Sequence, residues 1–249
     1  MYPTVASIEL TTKCNFKCLH CYGEYGPAND DTMSFENARK LLVDLKDMGI
    51  SIIEFTGGEI TVYPCLQELV EEAFKNDFFK IGLLTNGYAL SDSFIDFIIK
   101  HKDKLFVQID LHSLRNDYWE WFTRVKNVRD RIVNNIERLA KNGVFMRIAV
   151  VATPKNIDEL EEIADVVHHL GIGSLGCSAV VKVGRAEEGD SNLLITDIAT
   201  QNRYMQALES INHKYPNFIF RIEYGELKRP NCGSITSNVT ITPNGDIKY

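Results

Sequence analysis

The chain has 249 residues, 45% of them hydrophobic, a length that suits one α/β barrel-type domain with or without a small appendage. Lysine and arginine total 27 against 34 for aspartate and glutamate, and this net charge of -7 argues against a nucleic-acid partner, because phosphates select basic surfaces. The sequence has no membrane-spanning apolar run and no signal-peptide pattern, and six cysteines without a secretory signal point to a reducing compartment. We therefore expect a cytoplasmic protein with no membrane partner.

Apolar, β-branched runs alternate with amphipathic segments along most of the chain. The predicted strands are Val5–Leu10, Ile50–Thr56, Lys80–Thr85, Leu105–Leu111, Val144–Val151 and Leu175–Val181. The predicted helices between them are Ser34–Met48, Cys65–Asn76, Ser91–Lys100, Val128–Asn142 and Ile157–Leu170. Such regular alternation implies right-handed βαβ units and a parallel sheet. Six units of this kind predict an α/β fold, a partial (β/α)6 TIM-type barrel that is open on one side.

The pattern changes in the C-terminal part of the chain. It predicts one more helix, Thr196–Lys214, and a strand, Asn217–Glu223. Farther on, Asn244-Gly245 lies between two alternating runs and predicts a hairpin turn. We therefore expect a barrel over residues 1–195, followed by a helix and the start of a small second domain over residues 196–249.

Three cysteines, Cys14, Cys18 and Cys21, directly follow the first predicted strand. Three thiolates on one tight loop can hold three irons of a cubane cluster and leave the fourth iron without a protein ligand. A structural zinc site would need four ligands, and no second cysteine pair follows nearby. A disulfide would strain the loop and leave one thiol over. The spacing therefore favours an iron–sulfur cluster with an open coordination position.

Polar motifs also follow the next three predicted strands. They are Thr56-Gly57-Gly58-Glu59, Thr85-Asn86-Gly87 and Asp110-Leu111-His112-Ser113. Because the chemistry of parallel α/β barrels gathers at the C-terminal ends of the strands, we expect these motifs to surround one site together with the cysteines. Glycines permit close approach of the backbone to a ligand, and Glu59 could accept a hydrogen bond from an ammonium group. We expect His112 to line the cavity or to bond locally.

In these motifs, and in its strand–helix order, the chain resembles the radical S-adenosylmethionine (SAM) superfamily. The resemblance implies a [4Fe-4S] cluster on Cys14, Cys18 and Cys21, with the amino and carboxylate groups of SAM bound to the open iron. One-electron reduction would then cleave SAM to methionine and a 5′-deoxyadenosyl radical, which abstracts a hydrogen atom from the substrate. An electron donor such as flavodoxin or ferredoxin is expected as a partner.

The resemblance also implies which residues contact SAM. His20 occupies a position where the family often has an aromatic residue near the adenine. Asp110 stands where many relatives have a serine; a carboxylate there could bond the ribose hydroxyls but would repel the methionine carboxylate. Arg124 is the nearest candidate to pair with that carboxylate. The other residues assigned to SAM binding are Gly57, Gly58, Glu59 and Asn86.

The C-terminal part resembles the opening of a SPASM or twitch extension, in which a cysteine, a spacer and a glycine precede a second cysteine. Twelve residues separate Cys232 from Gly245, and the second cysteine would fall one position past Tyr249. This resemblance implies that Cys232 binds an auxiliary iron–sulfur cluster and that the sequence is a fragment; a structural cysteine is the alternative. The run Gly184-Arg185-Ala186 is similar to a segment common after the sixth strand in this group.

A SPASM or twitch extension predicts a peptide or protein substrate that is modified after translation, such as a ribosomal precursor peptide. The acidic balance of the chain gives a weak preference for a basic peptide. Two alternatives remain open at this point. One is a radical SAM enzyme that acts on a small molecule in cofactor biosynthesis. The other is a non-catalytic zinc or iron–sulfur binding module, in which Gly57-Gly58-Glu59 is only a turn.

Overall fold

A computed structural model of the protein describes residues 4–187, 190, 192–223 and 238–248. Its strands are β1 Val5–Glu9, β2 Ile52–Thr56, β3 Lys80–Thr85, β4 Leu105–Asp110, β5 Met146–Ala152, β6 Leu175–Ala179, β7 Ile219–Glu223, β8 Asn238–Ile241 and β9 Ile247–Lys248. Its α-helices are α1 Phe35–Asp47, α2 Leu66–Lys75, α3 Asp92–Lys100, α4 Asn116–Thr123, α5 Arg129–Lys141, α6 Leu160–His169 and α7 Ile198–Lys214. Short 3-10 helices span Ile60–Val62, Ile157–Glu159 and Gly184–Ala186.

The strands form one nine-stranded sheet in the order β7-β6-β5-β4-β3-β2-β1-β8-β9. All neighbouring strands are parallel except β8 and β9. The six strands β1 to β6 therefore follow one another in space as they do along the chain, with helices in the connections. This arrangement confirms the predicted partial barrel, and the carboxyl ends of its strands lie at one edge.

An ion pair across the inside of the sheet shows how strongly the sheet curves. Arg147 on β5 donates a hydrogen bond of 2.8 Å to Glu54 on β2, although β3 and β4 lie between these strands. The Arg147 guanidinium also lies 4.5 Å from the centre of the Phe106 ring on β4. Gly82 on β3 leaves room for that ring, since a Cβ atom there would come within 2.4 Å of it. Polar side chains thus face the barrel interior, whereas the opposite face packs its aliphatic side chains under the helices.

The aromatic run after β4 forms a helix, α4, that the sequence patterns did not predict. Tyr118, Trp119 and Phe122 are almost completely buried in this helix. Their packing explains the run, because Tyr118 and Phe122 form a small core with Leu19 of the cysteine loop. The loop is also bonded to the end of α4, where the Leu19 backbone N–H donates to the Phe122 carbonyl oxygen at 2.9 Å. The helix α4 therefore supports the cysteine loop from one side.

The C-terminal hairpin belongs to the same sheet as the barrel. The predicted hairpin is present, with β8 antiparallel to β9, and β8 pairs in parallel with β1 from Val5 opposite Asn238 to Ile8 opposite Ile241. Thus β8 directly extends the sheet on the β1 side. The division of the chain at residue 195 into two domains stays a prediction. None of the helices in the described residues combines the length and the apolar character needed to cross a membrane.

Candidate active site

A cavity at the C-terminal edge of the sheet contains three thiols. Cys14, Cys18 and Cys21 all line it, and all three are free. They lie on the loop between β1 and α1, which the sheet places at the mouth of the barrel. No three His, Cys, Asp or Glu side chains in the part of the chain that the structure describes converge as ligands of a single metal ion. The three thiols instead surround an open space, and a cubane cluster takes each of its thiolates at a different iron.

Burial keeps the thiols of Cys14 and Cys18 protonated in the protein without a cofactor. Burial raises the pKa of Cys14 to about 12. Burial, together with the neighbouring thiols and Asp110, raises the pKa of Cys18 as well, whereas the positive charge of Arg185 opposes this shift. A metal centre must displace these protons, so its binding to the thiols is favoured by high pH and releases protons.

The Gly57-Gly58-Glu59 turn lies directly against the segment that leads into Cys14. The Gly58 N–H donates to the Thr11 carbonyl oxygen at 2.6 Å, and the Glu59 N–H donates to the Lys13 carbonyl oxygen at 3.0 Å. Gly57 has a φ of +133°, and a Cβ atom on it would come within 2.5 Å of the Thr11 carbonyl oxygen. The two backbone segments approach so closely that this turn requires glycine whether or not a ligand is bound.

The carboxylate of Glu59 is buried and accepts hydrogen bonds from three residues of the chain. Its oxygens accept from the Thr61 N–H at 3.0 Å and hydroxyl at 2.8 Å, from the Thr85 hydroxyl at 2.6 Å and from the Asn86 N–H at 2.7 Å. Burial raises the pKa of Glu59, and these donors act in the opposite direction. The side chain thus joins the ends of β2 and β3, and Asn86 continues to the cysteine loop by donating to Asn15 at 2.7 Å.

His20 forms an apolar wall of the cavity between the second and third cysteines. Its ring stacks on Phe122 with the ring centres 4.7 Å apart and the planes nearly parallel. Burial lowers the pKa of His20 to about 4, so the imidazole is neutral. Its Nδ1 atom has no hydrogen-bond partner among the described residues, as is also true of Nδ2 of Asn15. Because His20 lines the cavity, its Nδ1 atom is available to a bound group.

Asp110 lies at the end of β4 and lines the same cavity. Burial, reinforced by the negative charge of Glu59, raises the pKa of Asp110 to about 7. Its Oδ2 atom is 3.8 Å from Nε2 of His112. Nδ1 of His112 accepts a hydrogen bond from the Val151 N–H at 3.2 Å, which leaves the imidazole proton on Nε2, facing Asp110. His112, which was expected to line the cavity or to bond locally, is not among the lining residues and bonds instead to Val151 of β5, 39 positions along the chain.

The cavity therefore brings together most of the residues predicted from the sequence. These residues are Cys14, Cys18, His20, Cys21, Gly57, Gly58, Glu59, Asn86 and Asp110. Arg124 is not among them: it ends α4 in the left-handed conformation, is exposed, and does not line the cavity. Its predicted place beside the SAM carboxylate stays a prediction. Cys232 lies outside the described residues, and its role stays a prediction.

Further cavity residues were missed by the sequence analysis. Gln108 lies two positions before Asp110 on β4 and so shares its face, a period-two signal that could have been used. Tyr22 follows the last cysteine and also lines the cavity, and its hydroxyl donates to the buried carboxylate of Glu9 at 2.5 Å. Lys248 of β9 donates to the same carboxylate at 2.8 Å, a contact between distant parts of the chain that no local pattern predicts.

A family model describing the radical SAM superfamily matches residues 8–167, which contain the cysteine loop and the first four strand ends. The chain belongs to the radical SAM superfamily. Members of this superfamily use a [4Fe-4S] cluster and SAM. Three free thiols around one cavity and the unpartnered Nδ1 atom of His20 beside them fit such a pair of cofactors.

Two curated proteins of Bacillus subtilis (strain 168) are similar to this radical SAM chain. It is 31% identical, over 99% of its length, to the antilisterial bacteriocin subtilosin biosynthesis protein AlbA, and it covers 54% of that protein. It is 24% identical, over 86% of its length, to the sporulation killing factor maturation protein SkfB, covering 50% of that protein. The chain thus spans about half the length of these curated relatives.

The fold is also similar to that of Streptococcus suis SuiB. The crystal structure of SuiB bound to SAM matches 99% of this chain and 60% of the SuiB chain, with a TM-score of 0.81 and 19% identity. A structure of SuiB bound to the precursor peptide SuiA matches the same share of this chain with a TM-score of 0.80. At this level of identity, the comparison establishes the shared fold.

Proposed function

We propose that this chain is the catalytic barrel of a radical SAM enzyme that modifies a peptide or protein after translation. The observation that carries the proposal is the single cavity in which three free thiols face the Gly57-Gly58-Glu59 turn, Asn86 and Asp110. Membership of the superfamily supports the radical chemistry. The similarity to AlbA and SkfB, whose names refer to the production of a bacteriocin and of a killing factor, supports a peptide substrate.

In this proposal Cys14, Cys18 and Cys21 would hold the [4Fe-4S] cluster, and SAM would bind beside it in the same cavity. When bound and reduced by one electron from the donor, the two cofactors would supply a 5′-deoxyadenosyl radical that abstracts hydrogen from the substrate. The chain's own residues bind and orient SAM. His20 would lie beside the adenine, and Asp110 would accept hydrogen bonds from the ribose hydroxyls. Glu59 joins the strand ends through hydrogen bonds from Thr61, Thr85 and Asn86, and its carboxylate has a lone pair left on Oε2 to accept from the SAM ammonium.

Reductive cleavage of SAM tests the radical chemistry. Protein reconstituted with iron and sulfide without oxygen, then given dithionite and SAM, should release 5′-deoxyadenosine. Replacing Cys14, Cys18 and Cys21 together with alanine should abolish this release and the binding of iron at this site. Cys65→Ala is the matched control, because that thiol lies outside the cavity. About one zinc per chain and no sulfide would contradict the proposal and favour the metal-binding module.

The substrate class requires a separate experiment. Short peptides encoded beside this gene, deuterated on their carbon atoms, should be incubated with the reduced enzyme and SAM. Deuterium in the 5′-deoxyadenosine and a changed peptide mass would support peptide modification. If no such peptide transfers deuterium and a small molecule does, the peptide proposal is wrong while the radical chemistry stands. A flavodoxin or ferredoxin is the proposed electron donor in a cytoplasmic setting, and either should replace dithionite.

A further inference from the structure

The segment after β6 contacts the cysteine loop across the mouth of the barrel. In this segment Arg185 donates three hydrogen bonds to backbone carbonyl oxygens of the loop. Its Nη1 atom donates to Cys18 at 2.5 Å, its Nη2 atom to Tyr25 at 2.8 Å and its own backbone N–H to Cys21 at 3.0 Å. One residue thus bonds to the loop on both sides of the third cysteine and at the cysteine itself.

Gly184 allows this close approach. Its φ is +55°, in the left-handed region, and a Cβ atom on it would come within 2.3 Å of the Tyr22 carbonyl oxygen and 2.7 Å of the Cys21 carbonyl oxygen. Any side chain at this position would therefore push the segment away from the loop. The Gly184–Ala186 turn and the cysteine loop are thus shaped to fit each other.

The contact joins two distant strands of the sheet. The cysteine loop follows β1 and Arg185 follows β6, and four strands lie between these two in the sheet. Ladder hydrogen bonds hold each strand to its neighbours but cannot fix a loop after β1 relative to a loop after β6. The guanidinium can do so, because its planar fork offers two N–H groups in fixed directions.

We propose that Arg185 is a positioning residue of the iron–sulfur site. It holds the loop from Cys18 to Tyr25 in the shape that binds the cluster and places one positive charge beside it. A cluster bound to three thiolates becomes more negative on reduction, so a fixed positive charge beside it stabilises the reduced form and raises the reduction potential. This inference rests on the cofactor of the superfamily and is independent of the peptide substrate proposed above.

Three variants separate the two effects of Arg185. Arg185→Gln removes the charge and most of the hydrogen bonds. Arg185→Lys keeps the charge but offers a single ammonium in place of the fork. Gly184→Ala keeps Arg185 and disturbs the fit of the segment to the loop. Arg39→Gln is the matched control, since Arg39 is an exposed arginine of α1 that pairs only with Glu36 among the described residues.

The first measurement uses the protein without a cluster. Hydrogen exchange should be compared at the amides of Cys21 and Glu24, which donate within the loop. Loss of the two side-chain hydrogen bonds predicts exchange about tenfold or more faster in Arg185→Gln. Arg185→Lys and Gly184→Ala should also exchange faster, and Arg39→Gln should match the unchanged protein.

The second measurement uses reconstituted protein without SAM or peptide. Iron and sulfide content should fall in Arg185→Gln and Gly184→Ala, with cluster affinity lower by about tenfold or more, as for other residues that orient metal ligands. The cluster that Arg185→Gln still binds should have a lower reduction potential, followed by electron paramagnetic resonance, whereas Arg185→Lys should keep a potential close to the original. Unchanged exchange, cluster content and potential in Arg185→Gln would overturn the proposal. If Arg185→Gln fails to fold, unchanged amide exchange in both Arg185→Lys and Gly184→Ala, with unchanged cluster content in Gly184→Ala, would overturn the proposal.

Discussion

Gly58 occupies a position that no side chain can enter without moving backbone. A Cβ atom there would come within 2.2 Å of the Lys13 carbonyl oxygen. We expect Gly58→Ala to lower the free energy of unfolding by about 1–3 kcal/mol, because two rigid backbone segments must separate. Urea denaturation of the protein without a cluster measures this, and Gly173→Ala is the control, since nothing lies within 4 Å of a Cβ atom at Gly173. Equal stability of the two variants would contradict the contact described.

The raised pKa of Asp110 predicts a pH dependence of stability. Burial and the charge of Glu59 raise this pKa from 3.8 to about 7. The folded protein therefore binds the Asp110 proton more tightly than the unfolded chain does. This proton contributes its full stabilisation below about pH 4, and the stabilisation is lost as the pH rises to about 7. Asp110→Asn cannot ionise, so its stability relative to the unchanged protein should increase over that interval.

Urea denaturation of both proteins without a cluster at several pH values measures this difference. Asp103→Asn controls for the loss of an exposed carboxylate, because Asp103 lies on the surface between α3 and β4. It should not change the pH dependence. A difference between Asp110→Asn and the unchanged protein that stays constant with pH would show that Asp110 titrates normally.

At the scale of elements, strands and most helices followed from local patterns, whereas α4 did not. The predicted strand Lys80–Thr85 is observed with the same bounds, and Ser34 and Ser91, the first residues of two predicted helices, cap α1 and α3. The aromatic residues of α4 favour strands as much as helices. No side chain caps its first turn either, so neither composition nor a start signal indicated a helix. Its packing against the cysteine loop, a tertiary effect, decides the conformation.

The hairpin of β8 and β9 is attached to the barrel by a lysine. Lys248 donates to the buried carboxylate of Glu9 at 2.8 Å and to the Tyr25 hydroxyl at 3.0 Å. We expect Lys248→Met to cost about 1–2 kcal/mol, less than a fully buried charged hydrogen bond because the lysine side chain is 42% exposed.

Urea denaturation measures the loss of stability in Lys248→Met. Hydrogen exchange at the Thr242 amide, which donates across the hairpin loop, should also become faster in this variant. Lys141→Met, at the exposed end of α5, is the control and should change stability by less than about 0.5 kcal/mol. If the two variants lose the same stability, Lys248 does not anchor the hairpin.

At the scale of the whole molecule, the site forms because parallel strands end at one edge. That rule alone brought Cys14, Glu59, Asn86 and Asp110 together in the prediction, although nearly 100 residues of sequence separate the first from the last. The rule does not apply to contacts between loops or to strands added at the edge. The pairing of β8 with β1 and the bonds of Arg185 to the cysteine loop join distant segments with no local signal, so only the structure could reveal them.

A site assembled from four strand ends exists only in the folded chain, so its ligands should stabilise the fold. We expect the midpoint of thermal unfolding of the reconstituted protein to rise with SAM concentration, by an amount equivalent to about 2.7 kcal/mol at 100 times the dissociation constant. In the variant with Cys14, Cys18 and Cys21 replaced by alanine, most of this shift should disappear, because the amino and carboxylate groups of SAM would lose the open iron. Differential scanning calorimetry without oxygen measures both proteins. An equal shift in the variant would mean that SAM binds elsewhere or without the cluster.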